Sequence, residues 1–111
     1  MAGKANRSFV VVGLGAFGGT VAAELARFDN PVLGIDLNER NVSRFADVLT
    51  EAVICDATDE AALREAGAGN HDVALVAIGE DLESEILTVM NLRHIGVGTI
   101  WVKAKDKTQH R

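Results

Sequence analysis

Five short apolar runs, at residues 9–12, 32–35, 52–55, 73–78 and 100–102, recur along the chain at intervals of roughly 20 to 25 residues. Each run is continuous and does not alternate with polar residues. A strand with one face in water alternates, so continuous runs predict strands buried on both faces, as in a parallel sheet. The stretches between them carry helical spacing. Residues 17–28 place Phe17, Val21, Leu25 and Phe28 on one face, and residues 38–45 form a second amphipathic segment. A third helix starts at Thr58 or Asp59, whose side-chain oxygens can cap free N–H groups, and stops at Gly67-Ala68-Gly69. A fourth runs from about residue 81 to 95, where Gly96 ends it. Strand and helix alternate throughout, which predicts right-handed βαβ units and a doubly wound α/β fold.

At 111 residues the chain has room for one domain. We read residues 8–111 as that domain and the polar residues 1–7, which lack the apolar core of a signal peptide, as a flexible leader. A formal charge of -5 gives no electrostatic footprint for DNA or RNA, so no nucleic-acid partner is expected. The charge is uneven: Lys103, Lys105, Lys107 and Arg111 against Asp106 make the last eleven residues basic, either as a solvated end or as part of an anion site. The single cysteine, Cys55, excludes an internal disulfide and suits a reducing, cytosolic compartment. No apolar stretch reaches the roughly 18 residues of a membrane span, so membrane association is expected only through a partner.

Gly13-Leu14-Gly15-Ala16-Phe17-Gly18 is a G-x-G-x-x-G placed between the first apolar run and the first helix, the context such a loop needs for dinucleotide binding. Gly13 makes the tight turn, Gly15 lets a phosphate approach the backbone, and Gly18 lets helix and strand pack closely. An anion would rest on the free N–H groups and positive end of the helix. Asp36 lies eighteen residues after Gly18, at the end of the second run, where a carboxylate can accept both ribose hydroxyls and disfavours a 2'-phosphate. The alternative is a ligand-free turn with Asp36 as a helix cap. Asp56 and Thr58, after the third run, can touch base or ribose, or can simply form a turn and a cap. Ala77, Ile78 and Gly79 end the fourth run beside the same crevice, or merely terminate a strand.

No catalytic set is evident. His71, His94 and His110 show no metal-ligand spacing and read as surface or capping residues. Cys55 has no base in sequence and reads as an inert core thiol. Glu80, Asp81, Glu83 and Glu85 at the start of the fourth helix stabilise its dipole, and no metal is expected. Leu82, Ile86, Leu87, Val89, Met90, Leu92 and Ile95 make that helix apolar over more of its circumference than one sheet face requires. The surplus is covered either by loops of the same chain or by a second copy, and we expect a homodimer.

Together with the segments 34–38, 55–67 and 72–79, the glycine loop makes the chain resemble the regulatory nucleotide-binding domain of bacterial potassium uptake systems, called TrkA-N, KTN or RCK. The resemblance covers nearly everything from Ser8 onward. It implies a Rossmann-like domain of a cytosolic gating subunit that binds ATP, ADP or NAD(H), forms larger rings when intact, and controls a membrane subunit translocating potassium from the inner face of the membrane. By position it assigns phosphates to the residues 13–18 loop (Gly13, Leu14, Gly15, Ala16, Phe17 and Gly18), ribose to Asp36, and the adenine side to Asp56, Ala57 and Thr58. Asn38, Ile78, Gly79 and Lys103 match positions lining the same site. Two departures stand out. Members of the family often carry arginine where this chain has Ala16, and the chain stops before the expected sixth strand, crossover helix and C-terminal domain. The competing expectation, from the glycine loop alone, is the cofactor-binding fragment of an NAD-dependent dehydrogenase. The Asp56-Ala57-Thr58-Asp59 segment favours the non-enzymatic regulator.

Overall fold

The computed structural model describes residues 7–79 and 81–103. Five parallel strands, β1 (Phe9–Val12), β2 (Val32–Asp36), β3 (Glu51–Ile54), β4 (Val73–Val76) and β5 (Thr99–Val102), lie in the order β3-β2-β1-β4-β5. The helices between them are α1 (Ala16–Arg27), α2 (Glu39–Phe45), α3 (Glu60–Glu65) and α4 (Leu82–His94). The expected Rossmann-like doubly wound sheet is present: β1 is central, with Phe9 level with Val32 on one side and Val73 on the other. The strand order reverses between β1 and β4, which opens a crevice beyond the carboxyl ends of the strands.

Two cores flank the sheet because side chains alternate along each strand. Val10 and Val12 face one way, with Leu33, Ile35, Leu63 and Leu92, while Val11 faces the other, with Leu14, Ala22 and Leu49. Burial on both faces explains the continuous apolar runs of β1, β2 and β4. It does not extend to β3 and β5, which end the sheet and are largely exposed, with Trp101 open over 64% of its surface.

The predicted buried face of α1 is corrected. Gly18, Gly19 and Ala22 are buried, whereas Phe17 and Phe28 are exposed. The cause is distance: a Cβ on Gly18 would lie 1.8 Å from the Gly13 carbonyl oxygen, and one on Gly19 would lie 2.5 Å from the Phe45 ring. Only glycine permits so close an approach, so Phe17 turns outward under the Lys103 ammonium, while Phe28 is the C-cap past the last turn, where Arg27 stacks on it. On α4 the surplus apolar residues Leu82, Ile86, Leu87 and Met90 are exposed and are not covered by loops of the described chain. The expectations placed on residues 1–6, Glu80 and residues 104–111, including His110 and the basic end past Lys103, lie outside the described residues.

Candidate functional site

A crevice of about 650 Å³ opens at the carboxyl end of the sheet. Its first wall is backbone. Gly13 turns the chain at φ 103°, a conformation reserved almost to glycine, and leaves no room for a side chain because a Cβ would meet the Ala77 carbonyl oxygen at 2.5 Å. Gly15 is the N-cap of α1 and has no side-chain cap, and nothing lies within 4 Å of where its Cβ would be. The three other helices are closed by carboxylates or amides: Asn38 caps α2, Asp59 caps α3 and Asp81 caps α4. The first-turn N–H groups of α1 therefore face the open end of the crevice with the helix dipole behind them.

Asp36 connects this wall to the next. Its Oδ2 accepts from the Leu14 N–H at 2.7 Å and from Asn41 Nδ2 at 3.2 Å, and its Oδ1 accepts from the Asn38 N–H at 2.8 Å. A carboxylate has about four acceptor sites, so three protein donors leave roughly one. Asp36 thus ties the glycine loop to the start of α2 and keeps limited capacity for a ligand.

The wall after β3 is a side-chain turn. Asp56 Oδ1 accepts from both the N–H and the hydroxyl of Thr58, at 3.0 and 2.7 Å, and these two bonds hold the Asp56 carboxyl below its ordinary range. Cys55 is buried beside it. Burial, followed by the charges of Asp56 and Asp59, pushes its thiol up, away from the thiolate that a nucleophile requires. Ala57 is fixed from above, its carbonyl accepting from Asn91 Nδ2 on α4 at 3.1 Å.

Of the residues expected at a site, Gly13, Gly15, Asp36, Asn38, Asp56, Ala57, Thr58 and Ile78 line this one crevice. The others do not. Leu14 is fully buried in the core between sheet and α1, so only its N–H is engaged; Gly18 is a packing residue; Gly79 is exposed at φ 59° with open space around it. Ala16 and Phe17 sit exposed on the first turn of α1, and Lys103 Nζ lies 5.3 Å from the Phe17 ring centroid, placing a cation over that turn. Sequence reading missed Asn41, Ser84 and Thr88, which also line the crevice. Asn41 had a signal, three residues after Asn38 on the same helix face. Ser84 and Thr88 had only their four-residue spacing inside an apolar helix, with nothing to say which face turns inward. His71, expected as a surface or capping residue, caps the Gly67 carbonyl through Nδ1 at 3.0 Å, and His94 pairs with Glu60 across α3 and α4 at 2.9 Å.

A family described as the TrkA-N domain matches residues 9–111. The chain belongs to the TrkA-N domain family. This TrkA-N domain is 40% identical over 106 residues to Ktr system potassium uptake protein A of Bacillus subtilis, covering 96% of this chain and 48% of the relative. It is 41% identical over 101 residues to Ktr system potassium uptake protein C of the same organism, covering 91% and 46%. The chain therefore spans about half the length of these relatives. Among solved structures, the NAD(P)-binding domain of an exopolyphosphatase-related protein from Archaeoglobus fulgidus superposes with a TM-score of 0.75 at 25% identity, covering 95% of this chain and 78% of that one. Among the described residues no helix is long and apolar enough to cross a membrane.

Proposed function

We propose that this TrkA-N domain is a regulatory module that binds an adenine nucleotide, ATP, ADP or NAD(H), and through it gates a membrane subunit translocating potassium. One observation carries the nucleotide part. The uncapped α1 N-terminus, Asp36 and the Asp56–Thr58 turn open on a single crevice of nucleotide size. Phosphates would rest on the N–H groups after Gly15, with Lys103 neutralising charge from above the same turn. Ribose would take the remaining acceptor site of Asp36, and its second hydroxyl would bind only by displacing a protein donor such as the Asn41 amide. The base would lie toward Ala57 and Ile78.

The potassium part rests on the relatives, both named as potassium uptake proteins. On this reading the domain works in the cytoplasm, peripheral to the inner face of the membrane through its partner. No chemistry on the nucleotide is required, and regulation follows if the ligand binds one subunit arrangement more tightly than another. We further propose self-association through the exposed apolar residues of α4, as a dimer here and within a larger ring in the intact protein. Isothermal titration with ATP, ADP, AMP and NAD(H) tests the site: micromolar to millimolar binding of at least one is expected, and no heat and no thermal shift with any of them refutes it. Light scattering over a hundredfold concentration range tests assembly, since a constant mass near 11.8 kDa means a monomer.

A further inference from the structure

Helix α4 carries polar residues on the inside. Ser84 and Thr88 line the crevice, and Asn91 reaches the Ala57 carbonyl; positions 84, 88 and 91 share one helix face. Leu82, Ile86, Leu87 and Met90 face outward instead. Val89 and Leu92 do pack against the core, but along the crevice the usual order of apolar inside and polar outside is reversed.

Two of the three polar residues are accounted for. Asn91 is bonded to Ala57, and Ser84 donates from its N–H and its hydroxyl to Asp81, at 2.7 and 3.3 Å. Thr88 is not. Its side chain is 0% exposed, and its Oγ1 has no hydrogen-bond partner among the described residues. A helical threonine ordinarily satisfies itself on the carbonyl one turn back, here Ser84, and this one does not. Buried hydroxyls in folded proteins are almost always bonded, so an unused one on a crevice wall points to a partner that arrives with a ligand.

The surroundings indicate what part of a ligand that is. Ala57 and Ile78 give the crevice an apolar lining near Thr58, suited to the faces of a flat ring. The Thr88 hydroxyl both donates and accepts, so it can pair with a ring nitrogen or an exocyclic amine at the edge of such a ring. We propose that Thr88 is the base-reading residue of the site, its Oγ1 turning about the Cα–Cβ bond from its buried position into the crevice to hydrogen-bond the polar edge of the adenine ring between α4 and the turn after β3. This rests on the nucleotide reading and adds to it the group that distinguishes the base.

The test uses the full 111-residue chain and ADP as probe. Thr88→Val should weaken ADP binding about tenfold, equivalent to about 1.4 kcal/mol, while Thr88→Ser retains it. The unliganded melting temperature of Thr88→Val should hold or rise, because the change deletes an unpaired hydroxyl. ADP analogues lacking single ring nitrogens or the exocyclic amine then complete double-mutant cycles: one analogue should bind wild type more weakly but Thr88→Val no more weakly than ADP does. If every analogue loses equally against both proteins, or if Thr88→Val binds ADP as wild type does, the assignment to Thr88 is overturned while the nucleotide site stands. A lower melting temperature with equal loss for all ligands shows a merely structural threonine and overturns it too. If wild type binds neither ADP nor NAD, the nucleotide reading and this one fall together.

Discussion

The two sides of the crevice are built on different principles. The β1–α1 side is backbone: Gly13 and Gly18 are glycine because a Cβ would strike a carbonyl oxygen, and Gly15 presents bare N–H groups at an uncapped helix end. The α4 side is side chain, with Ser84 and Thr88 turned inward and one hydroxyl left unpaired. A site made of backbone tolerates almost no substitution but recognises only what every phosphate shares. A site made of side chains tolerates substitution and can distinguish one base from another. Burying an unbonded hydroxyl costs about 1 to 3 kcal/mol, whereas the glycine side stores no comparable deficit.

The sharpest way to break the contrast lies within the glycines themselves. Gly18→Ala puts a Cβ 1.8 Å from the Gly13 carbonyl, and forced overpacking of this kind should destabilise the fold by about 3 kcal/mol, read by urea denaturation. Stability within 0.5 kcal/mol of wild type, a margin typical of surface substitutions, would show that the loop and helix separate easily. Gly15→Ala places its Cβ where nothing lies within 4 Å and should lower stability by no more than about 1 kcal/mol, the cost of a poorer helix cap. It should nevertheless weaken nucleotide binding by well over tenfold, more than about 1.4 kcal/mol, because a side chain then stands where phosphate must approach. Unchanged affinity would move the phosphates away from α1.

Asp36 sits between the two sides and should act on both. With a carboxylate at the ribose, NADP should bind at least about tenfold more weakly than NAD, and Asp36→Asn should narrow that ratio. The same change weakens the acceptor for the Leu14 N–H, so a modest loss of stability of about 1 kcal/mol should accompany it. Equal affinities for NAD and NADP in wild type would mean that Asp36 serves the loop alone.

The smallest effect concerns acid. Asp56 is held below its ordinary range by Thr58, and Glu60 by His94 and then Arg64, so both bind protons less readily when folded. Depressed carboxylates contribute stability at pH values above their unfolded range and lose it as pH falls through the folded one. Stability should therefore be flat from neutral pH down to about 5 and decline below about 4. Asp56→Asn should lower it by no more than about 0.5 kcal/mol at pH 7, since the group is exposed, and should make the acid decline shallower. A decline that is unchanged in slope would assign it to other carboxylates.

Most of the architecture was legible in the chain. Continuous apolar runs located all five strands, although only β1, β2 and β4 are buried on both faces, and the capping oxygens of Thr58 or Asp59 located the start of α3, because burial and capping each constrain residue type locally. The glycine loop and Asp36 were legible for the same reason. What could not be read was which way a helix faces. Phe17 and Phe28 share a face with Val21 and Leu25 on a helical wheel, yet Phe17 turns outward because Gly18 and Gly19 beside it bring the start of α1 too close to its neighbours for an aromatic ring, and Phe28 stands past the last turn as the C-cap.

The sequence by itself determined the strand positions, the doubly wound α/β class implied by their alternation with helices, and the backbone half of the crevice, since each follows from the few residue types that a conformation admits. Tertiary structure alone decided that α4 turns Ser84, Thr88 and Asn91 inward and leaves Leu82, Ile86 and Met90 exposed. The physical reason is that periodicity gives the faces of a helix but not their direction. Direction depends on which neighbours occupy the space on each side, and here the turn after β3 supplies the Ala57 carbonyl that takes Asn91, while the core takes Leu92.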